Sequence, residues 1–152
     1  MSAGVAAPVN RHCCVVEIGG TGVMIEGPSG AGKTSLALGL VDAAARRGIP
    51  AHFVADDQAL VERRGDGVTA SVAQTIAGLA EIRGHGIVSV AHKPSCAIAL
   101  VARLVADEAV GRMPIDKTAV IEGIELPLVE VPVRHEAQAV RIVLASLRIS
   151  VV

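Results

Sequence analysis

Apolar runs and glycine turns alternate along the first third of the chain. Residues 12–18 and 22–27 predict two short strands joined by a turn at 19–22. A glycine-rich stretch follows, and apolar residues then recur at helical spacing over 35–47, before a glycine that predicts the end of the helix. The apolar run 51–55 predicts a short buried strand. The pattern thus predicts a hairpin that leads into a loop, a helix and a further strand.

The rest of the chain has a mostly β-type pattern. Residues 59–72 predict a hairpin with a Gly-Asp-Gly turn, and 118–133 are β-rich, with prolines that favour edges or bends. Residues 96–106 predict either a strand or another buried segment, because periodicity does not separate the two. The tail 136–149 carries apolar residues on one helical face, and 1–11 predict a loose arm. This order of elements predicts an α/β domain.

The composition indicates one domain with an aliphatic core. The chain has 152 residues, of which 51% are hydrophobic, and Phe53 is its single aromatic residue. A chain of this length buries a core without disulfide or metal support. Val, Ile, Leu and Ala must fill that core, and so much aliphatic surface on a small body leads us to expect a homo-oligomer.

Charge and hydropathy exclude several classes of partner. The net charge is −1, with 14 basic and 15 acidic residues and no basic run longer than two, so we expect no nucleic-acid binding. No apolar run reaches the roughly 18 to 20 residues of a membrane span, and the start lacks a signal-peptide pattern. We therefore expect a cytoplasmic protein. Cys13, Cys14 and Cys96 lack zinc spacing and are expected to be small buried hydrophobes.

The stretch GPSGAGKT satisfies the phosphate-loop pattern G-x-x-x-x-G-K-[ST] and lies between a predicted strand and a predicted helix. Its glycines permit a tight loop whose amides face phosphates, helped by the positive end of the helix. Lys33 is expected to reach the β- and γ-phosphates of ATP, and the Thr34 hydroxyl to bind Mg²⁺. The predicted nucleotide-binding residues are Gly27, Pro28, Ser29, Gly30, Ala31, Gly32, Lys33 and Thr34.

Two adjacent aspartates, Asp56 and Asp57, follow the predicted strand 51–55. A nucleotide hydrolase needs one carboxylate there for the metal ion, whereas phosphate transfer to a hydroxyl needs a second to accept the hydroxyl proton. Adjacent residues of an extended segment point in opposite directions, so the two carboxylates are expected to have different partners. The alternative is a pair of solvated or capping carboxylates, because Asp is also common in loops.

Three further residues are weaker candidates. Glu81 and Arg83 share a face if their segment is extended, which allows Glu81 near Mg²⁺ and Arg83 near phosphate. The default for such a pair is an exposed ion pair. His12 opens the first predicted strand, and its chemistry alone favours a structural or solvated histidine.

Together these residues resemble HPr kinase/phosphorylase, a family of bacterial enzymes that phosphorylate a serine of the phosphocarrier protein HPr. The resemblance covers residues 12–148. Three segments carry it: GPSGAGKT, VADDQ at 54–58, and EIRGHGI at 81–87. The last segment is similar to the family signature E-[IV]-R-G-x-G-[IL].

The resemblance implies roles for the site residues. Asp57 matches the general base of phosphorylation, which acts as general acid in the reverse direction, and Asp56 matches its neighbour at the metal site. Glu81 matches a further Mg²⁺ contact, and the signature favours Arg83 as a residue of the catalytic site. His12 matches a histidine that members carry near the phosphates.

The resemblance also implies a fold and an organisation. Members have a P-loop α/β domain with mixed β-sheets, akin to phosphoenolpyruvate carboxykinase, and long members assemble as hexamers and carry an N-terminal domain. Only 11 residues precede His12, so we expect an arm at 1–11 and a catalytic domain at 12–152, as in the truncated form of some Gram-negative bacteria. The candidates for the downstream basic residues of phosphorolysis are Arg103, Arg112 and Lys117.

The sequence leaves three functions open. The first is an ATP- and Mg²⁺-dependent serine kinase for HPr that also removes the phosphate by phosphorolysis. The second is a nucleotide-sensing regulator that binds ATP and acts through partner contacts without transferring phosphate. The third, a small-molecule kinase, requires an enclosed acceptor pocket, for which the sequence has no signature.

Overall fold

The computed structural model describes residues 7–113 and 116–150. Over these residues the chain forms β1 (Val9–Arg11), β2 (Cys14–Ile18), β3 (Thr21–Glu26), β4 (Ala51–Ala55), β5 (Ala59–Arg64), β6 (Gly67–Ser71), β7 (Leu79–Ile82), β8 (Gly86–Ser89), β9 (Ser95–Val105), β10 (Lys117–Ile121) and β11 (Ile124–Pro132). The helices are α1 (Lys33–Arg46) and α2 (Glu136–Ser146), with short 3-10 helices at Gln74–Ile76 and Asp107–Ala109. No helix in the described part of the chain has the length and apolar character to cross a membrane.

Nine strands form one curled, mixed sheet. Its main path runs β1-β5-β6-β9-β3-β2-β4, while β11 joins β9 and β10 joins β11. The long strand β9 pairs with β3 along one edge. Along its other edge it pairs with β6 near its start and with β11 near its end, so the sheet forks there. Strands β7 and β8 form a separate two-stranded sheet.

Strand directions bring several strand ends to one edge of the main sheet. Strand β2 is antiparallel to both β3 and β4, so β3 and β4 run in the same direction and end at the same edge. Strand β9 is parallel to β3 and ends there as well. The start of β2 therefore lies between the end of β3 and the end of β4. Ligands of open α/β sheets bind at the carboxyl ends of the strands, so this edge is where a site is expected.

The sheet has an aliphatic core on each face. Both helices pack on one face, where Leu36, Leu40 and Ala44 of α1 follow the helical spacing of the sequence and are fully buried. Val143 and Leu144 of α2 join the same core. The second core lies on the opposite face and is enclosed by the curl of the sheet, with Met24, Val54, Val61, Val101 and Ile121 among its buried residues. Each fully buried aliphatic side chain contributes roughly 2 kcal/mol.

Most of the predicted elements are confirmed, including the β2–β3 and β5–β6 hairpins and both helices. The predicted segment 96–106 corresponds to strand β9, and its sequence is largely apolar because its two faces pack into the two cores. The prediction of a loose arm is wrong for Val9–Arg11, because these residues form β1 and pair antiparallel with β5. His12 consequently lies between β1 and β2, not at the start of a strand.

Gly22 permits a close backbone approach between β3 and β9. A Cβ atom at this position would lie 2.1 Å from the carbonyl oxygen of Ala97, and backbone at a sheet centre has no room to shift. We expect Gly22→Ala to lower the free energy of unfolding by about 3 kcal/mol, at the upper end for overpacked sites, as measured by urea denaturation. Gly67→Ala is the control, because its nearest added contact is an ordinary 3.7 Å from Arg64 O. Equal unfolding free energies for the two variants would contradict the expectation.

Candidate active site

The loop between β3 and α1 surrounds a buried lysine. Lys33 is 5% exposed, and its Nζ donates to the carbonyl oxygens of Gly27 at 2.9 Å and Pro28 at 3.1 Å. Among the described residues no carboxylate forms an ion pair with it. A buried ammonium group without a neutralising carboxylate favours an anion as its missing partner.

The start of α1 adds further donors to the loop. Gly30 and Gly32 have φ values of 79° and 102°, a left-handed backbone that glycine adopts without strain. Gly32 is the N-cap of α1 and provides no side-chain cap, so the amides of the first helical turn are left for another acceptor. Together with the positive end of the helix dipole they suit phosphate oxygens.

Asp56 is held by three donors. Its Oδ1 accepts from the Thr34 hydroxyl at 2.7 Å and from the Cys14 thiol at 3.3 Å, while its Oδ2 accepts from the backbone N–H of Glu81 at 3.0 Å. The end of β4 therefore lies directly beside the loop. The carboxylate also connects the loop to β7, which belongs to the smaller sheet.

Asp57 faces different partners from Asp56, as the sequence predicted. Its Oδ1 lies 3.1 Å from His12 Nε2, and its side chain is 57% exposed. The alternation of side chains in an extended segment is not the cause, however, because Asp57 is not extended: its φ is 68°. This left-handed conformation, which Asp tolerates better than most residues, turns the side chain away from that of Asp56. His12 Nε2 also lies 3.4 Å from the Ser29 hydroxyl of the loop.

Lys33, Asp56 and Asp57 line one cleft of about 640 Å³ between the loop and the β7–β8 hairpin. Glu81 and Arg83 line it too, although Arg83 lies in the turn after β7 and not on an extended segment. Within the described residues no ion pair joins Glu81 to Arg83, so the prediction that the two form an exposed ion pair is wrong. The far side of the cleft is an apolar wall, which we define as Ile76, Leu79, Ile82 and Ile87, all between 38% and 67% exposed.

The downstream basic candidates lie outside this cleft. Arg103 pairs with Glu26, with its Nε 2.7 Å from Glu26 Oε1. Lys117 pairs with Glu130. Arg112 is described but does not line the cleft either.

The oxygen atoms beside the loop suit a hard divalent cation. In the described part of the chain, no three His, Cys, Asp or Glu side chains are grouped to hold a metal ion on their own. Mg²⁺ in nucleotide sites takes only one or two protein ligands and completes its shell with phosphate oxygens and water. The Thr34 hydroxyl and the Asp56 carboxylate, 2.7 Å apart, fit that requirement.

Burial gives the three cysteines an unusual titration. Desolvation raises the pKa of Cys13 from its ordinary 9.0 to about 11, and those of Cys14 and Cys96 to about 12. The folded chain thus keeps these protons at a pH where the unfolded chain loses them. The free energy of unfolding therefore keeps its full value below about pH 9 and decreases as the pH rises above 9.

We therefore expect urea denaturation to show a loss of about 1 kcal/mol per thiol between about pH 8 and pH 10. Cys96→Val removes one thiol far from the cleft and should reduce this loss by about one third. The expectation is wrong if the wild-type chain and the variant lose the same stability over this range.

The fold and the loop place the chain among P-loop α/β domains of the kinase type. The family model described as the HPr Serine kinase C-terminal domain matches residues 4–150, and the chain belongs to this family. The solved structure titled as the Hpr(Ser) kinase/phosphatase from Coxiella burnetii superimposes with a TM-score of 0.74 at 25% identity, covering 92% of this chain and 96% of that one.

Curated relatives carry the name HPr kinase/phosphorylase. The protein from Chlorobium phaeobacteroides strain BS1 is 34% identical over 134 residues, which are 80% of this chain and 38% of that protein. The protein from Exiguobacterium sibiricum is 36% identical over 149 residues, which are 88% of this chain and 45% of that protein. The chain thus spans less than half the length of these curated relatives.

The sequence did not predict two features of the site. One is Cys14, which was expected to be a small buried hydrophobe but bonds to Asp56. Its position at the start of β2, opposite the ends of β3 and β4, follows only from strand pairing. The other is the apolar wall, whose members look like core residues in the sequence.

Proposed function

We propose that the chain is an ATP- and Mg²⁺-dependent protein-serine kinase whose substrate is HPr. The observation that carries the proposal is the convergence of a phosphate loop and two aspartates with separate partners in one cleft. Asp56, which is hydrogen-bonded to Thr34, suits the role of the carboxylate at the metal ion, which any P-loop nucleotide hydrolase also needs. Asp57 suits the additional role that transfer to a hydroxyl requires. The name of the curated relatives supports HPr as the acceptor.

The loop and the start of α1 bind and orient the triphosphate. Lys33 is already held by two loop carbonyls, so its side chain loses little further freedom when its ammonium group binds the phosphates. The amides of the first turn of α1 bind phosphate oxygens. Arg83, at the opposite side of the cleft, adds a planar donor that suits a phosphate group.

Thr34 and Asp56 would hold Mg²⁺, with Glu81 of β7 as a further contact. The chemistry that Mg²⁺ supplies when bound is neutralisation of the phosphate charge during transfer. The chain's own part is to hold the two oxygen ligands in place, which the shared hydrogen bond between Thr34 and Asp56 does.

Asp57 acts as the general base. The serine oxygen forms a bond to the γ-phosphorus, the bond between that phosphorus and the ADP oxygen breaks, and the serine proton passes to Asp57. His12 holds one oxygen of the carboxylate, which leaves the other free for the incoming hydroxyl. In the reverse direction, inorganic phosphate takes the phosphoryl group to form pyrophosphate, and Asp57 returns the proton to the serine oxygen.

The cleft suits a serine presented by a protein. The Asp57 side chain is more than half exposed, so a hydroxyl on another protein reaches it from solvent. The apolar wall gives aliphatic side chains around that serine a surface to contact. Homo-oligomer formation, with a hexamer as one form, stays a prediction, as do the division into an arm at 1–11 and a catalytic domain, and the cytoplasmic location.

Incubation with HPr, Mg²⁺ and γ-labelled ATP tests the proposal directly. We expect label on a serine of HPr, located by mass spectrometry of the digested product. Label on histidine, or no label, would overturn the proposal. Tight ATP binding without any label would support the nucleotide-sensing regulator instead.

A further inference from the structure

Cys14 does not line the cleft itself, but its side chain contacts three residues that do: Thr34, Asp56 and Asp57. Strand β2 begins at the edge where β3 and β4 end, so its first side chain lies between the phosphate loop and the two aspartates. The residue is fully buried. Its sulfur lies 3.3 Å from Asp56 Oδ1, 3.9 Å from Thr34 Oγ1 and 3.4 Å from the backbone nitrogen of Asp57.

The contacts with the two aspartates each have a defined donor. The thiol donates to Asp56 Oδ1, the same oxygen that accepts from the Thr34 hydroxyl. The sulfur accepts from the Asp57 N–H. One side chain therefore restrains the carboxylate assigned to the metal and the backbone that carries the general base.

We propose that Cys14 is a positioning residue that orients Asp56 toward the cation and holds Asp57 in its left-handed conformation. The inference rests on the proposed function and adds to it a residue outside the phosphate loop and the aspartate pair. Carboxylates that bind a metal are themselves oriented by hydrogen bonds, here three, and loss of one such partner typically lowers metal affinity or activity about 10- to 100-fold. The left-handed backbone of Asp57 is also less favourable than an extended one and needs support from its surroundings.

Two isosteric variants test the inference. Val and Thr have nearly the same shape, but only Thr keeps a group that donates and accepts hydrogen bonds. We expect Cys14→Val to raise the Mg²⁺ concentration needed for ATP binding roughly 10-fold or more and to slow phosphate transfer. Cys14→Thr should stay close to the wild type in both measurements. Cys14→Ala and Cys14→Ser form a second pair, smaller than Cys, that repeats the comparison without a branched side chain.

Cys13 provides the matched control. It is as buried as Cys14 but belongs to the core on the opposite face of the sheet, and within the described residues it makes no hydrogen bond through its thiol. Cys13→Thr should therefore be less stable than Cys13→Val, and neither should change the Mg²⁺ requirement. If Cys14 had a purely structural role, its Val and Thr variants would likewise differ only in stability and would need the same Mg²⁺ concentration for ATP binding.

The Mg²⁺ requirement is measured from the rise in unfolding temperature that ATP produces, so this readout needs no phosphate transfer. If the wild type binds Mg·ATP but leaves HPr unlabelled, the proposed function fails, while the comparison at Cys14 still gives its answer. The inference about Cys14 is overturned if its Val and Thr variants need the same Mg²⁺ concentration for ATP binding.

Discussion

Replacement of Asp57 by Asn should abolish phosphate transfer while leaving ATP binding nearly unchanged. Asn has the shape of Asp and tolerates the same left-handed backbone, so the variant removes the proton acceptor without disturbing the loop. Loss of a general base lowers the rate of the chemical step typically by 10²- to 10⁴-fold, and we expect a loss of about that size. Single-turnover transfer of label to HPr measures the rate, and calorimetric titration measures ATP affinity.

Asp66→Asn is the control for this experiment. Asp66 is an exposed carboxylate in the turn between β5 and β6, and it does not line the cleft. Its replacement should change neither measurement. Transfer by the Asp57 variant at the wild-type rate would remove Asp57 from its assigned role, whereas a large drop in its ATP affinity would place it among the nucleotide contacts.

Replacement of Lys33 by Met should weaken ATP binding by roughly 10- to 100-fold, the range that follows from losing a hydrogen bond to a charged group. Met keeps the apolar length of the side chain but removes the ammonium group that the Gly27 and Pro28 carbonyls hold within the loop. Calorimetric titration with ATP measures the effect, and urea denaturation separates it from a change in stability.

Lys93→Met serves as the matched variant. Lys93 lies outside the cleft and pairs with Glu17 at 2.5 Å, so its loss should not alter ATP affinity. ATP affinity that is the same in the Lys33 variant and the wild type would show that the loop does not bind a nucleotide through this residue.

Local patterns predicted the elements better than their arrangement. The strand, loop and helix from β3 to α1 follow from spacing that acts over a few residues, and they appear as predicted. The nature of β9 was left open because a strand that packs into a core on both faces has no polar face to show alternation. Strand β1 was missed because its three residues are largely exposed and owe their conformation to pairing with β5. Such pairing is not encoded in a short stretch of sequence.

The same distinction applies to the cleft. The loop pattern and the aspartate pair identified residues that the structure brings together, since each is recognisable from neighbours in sequence. The left-handed backbone of Asp57 and the contacts of Cys14 depend on β2 lying between β3 and β4. The apolar wall depends on where the small β7–β8 sheet packs. Exposed isoleucines are indistinguishable from core isoleucines until that packing is known.

The long strand β9 also has a consequence for how the chain acquires its structure. Its partner β3 precedes the phosphate loop, yet Gly22 pairs with Ile98 and Glu26 with Arg103, residues that the ribosome makes much later. Contacts so distant in sequence form slowly. During synthesis the loop and α1 therefore emerge well before the strand that supports them, and an aliphatic chain in this state has exposed strand edges that favour aggregation. Chaperone binding to the nascent chain would protect it over this interval.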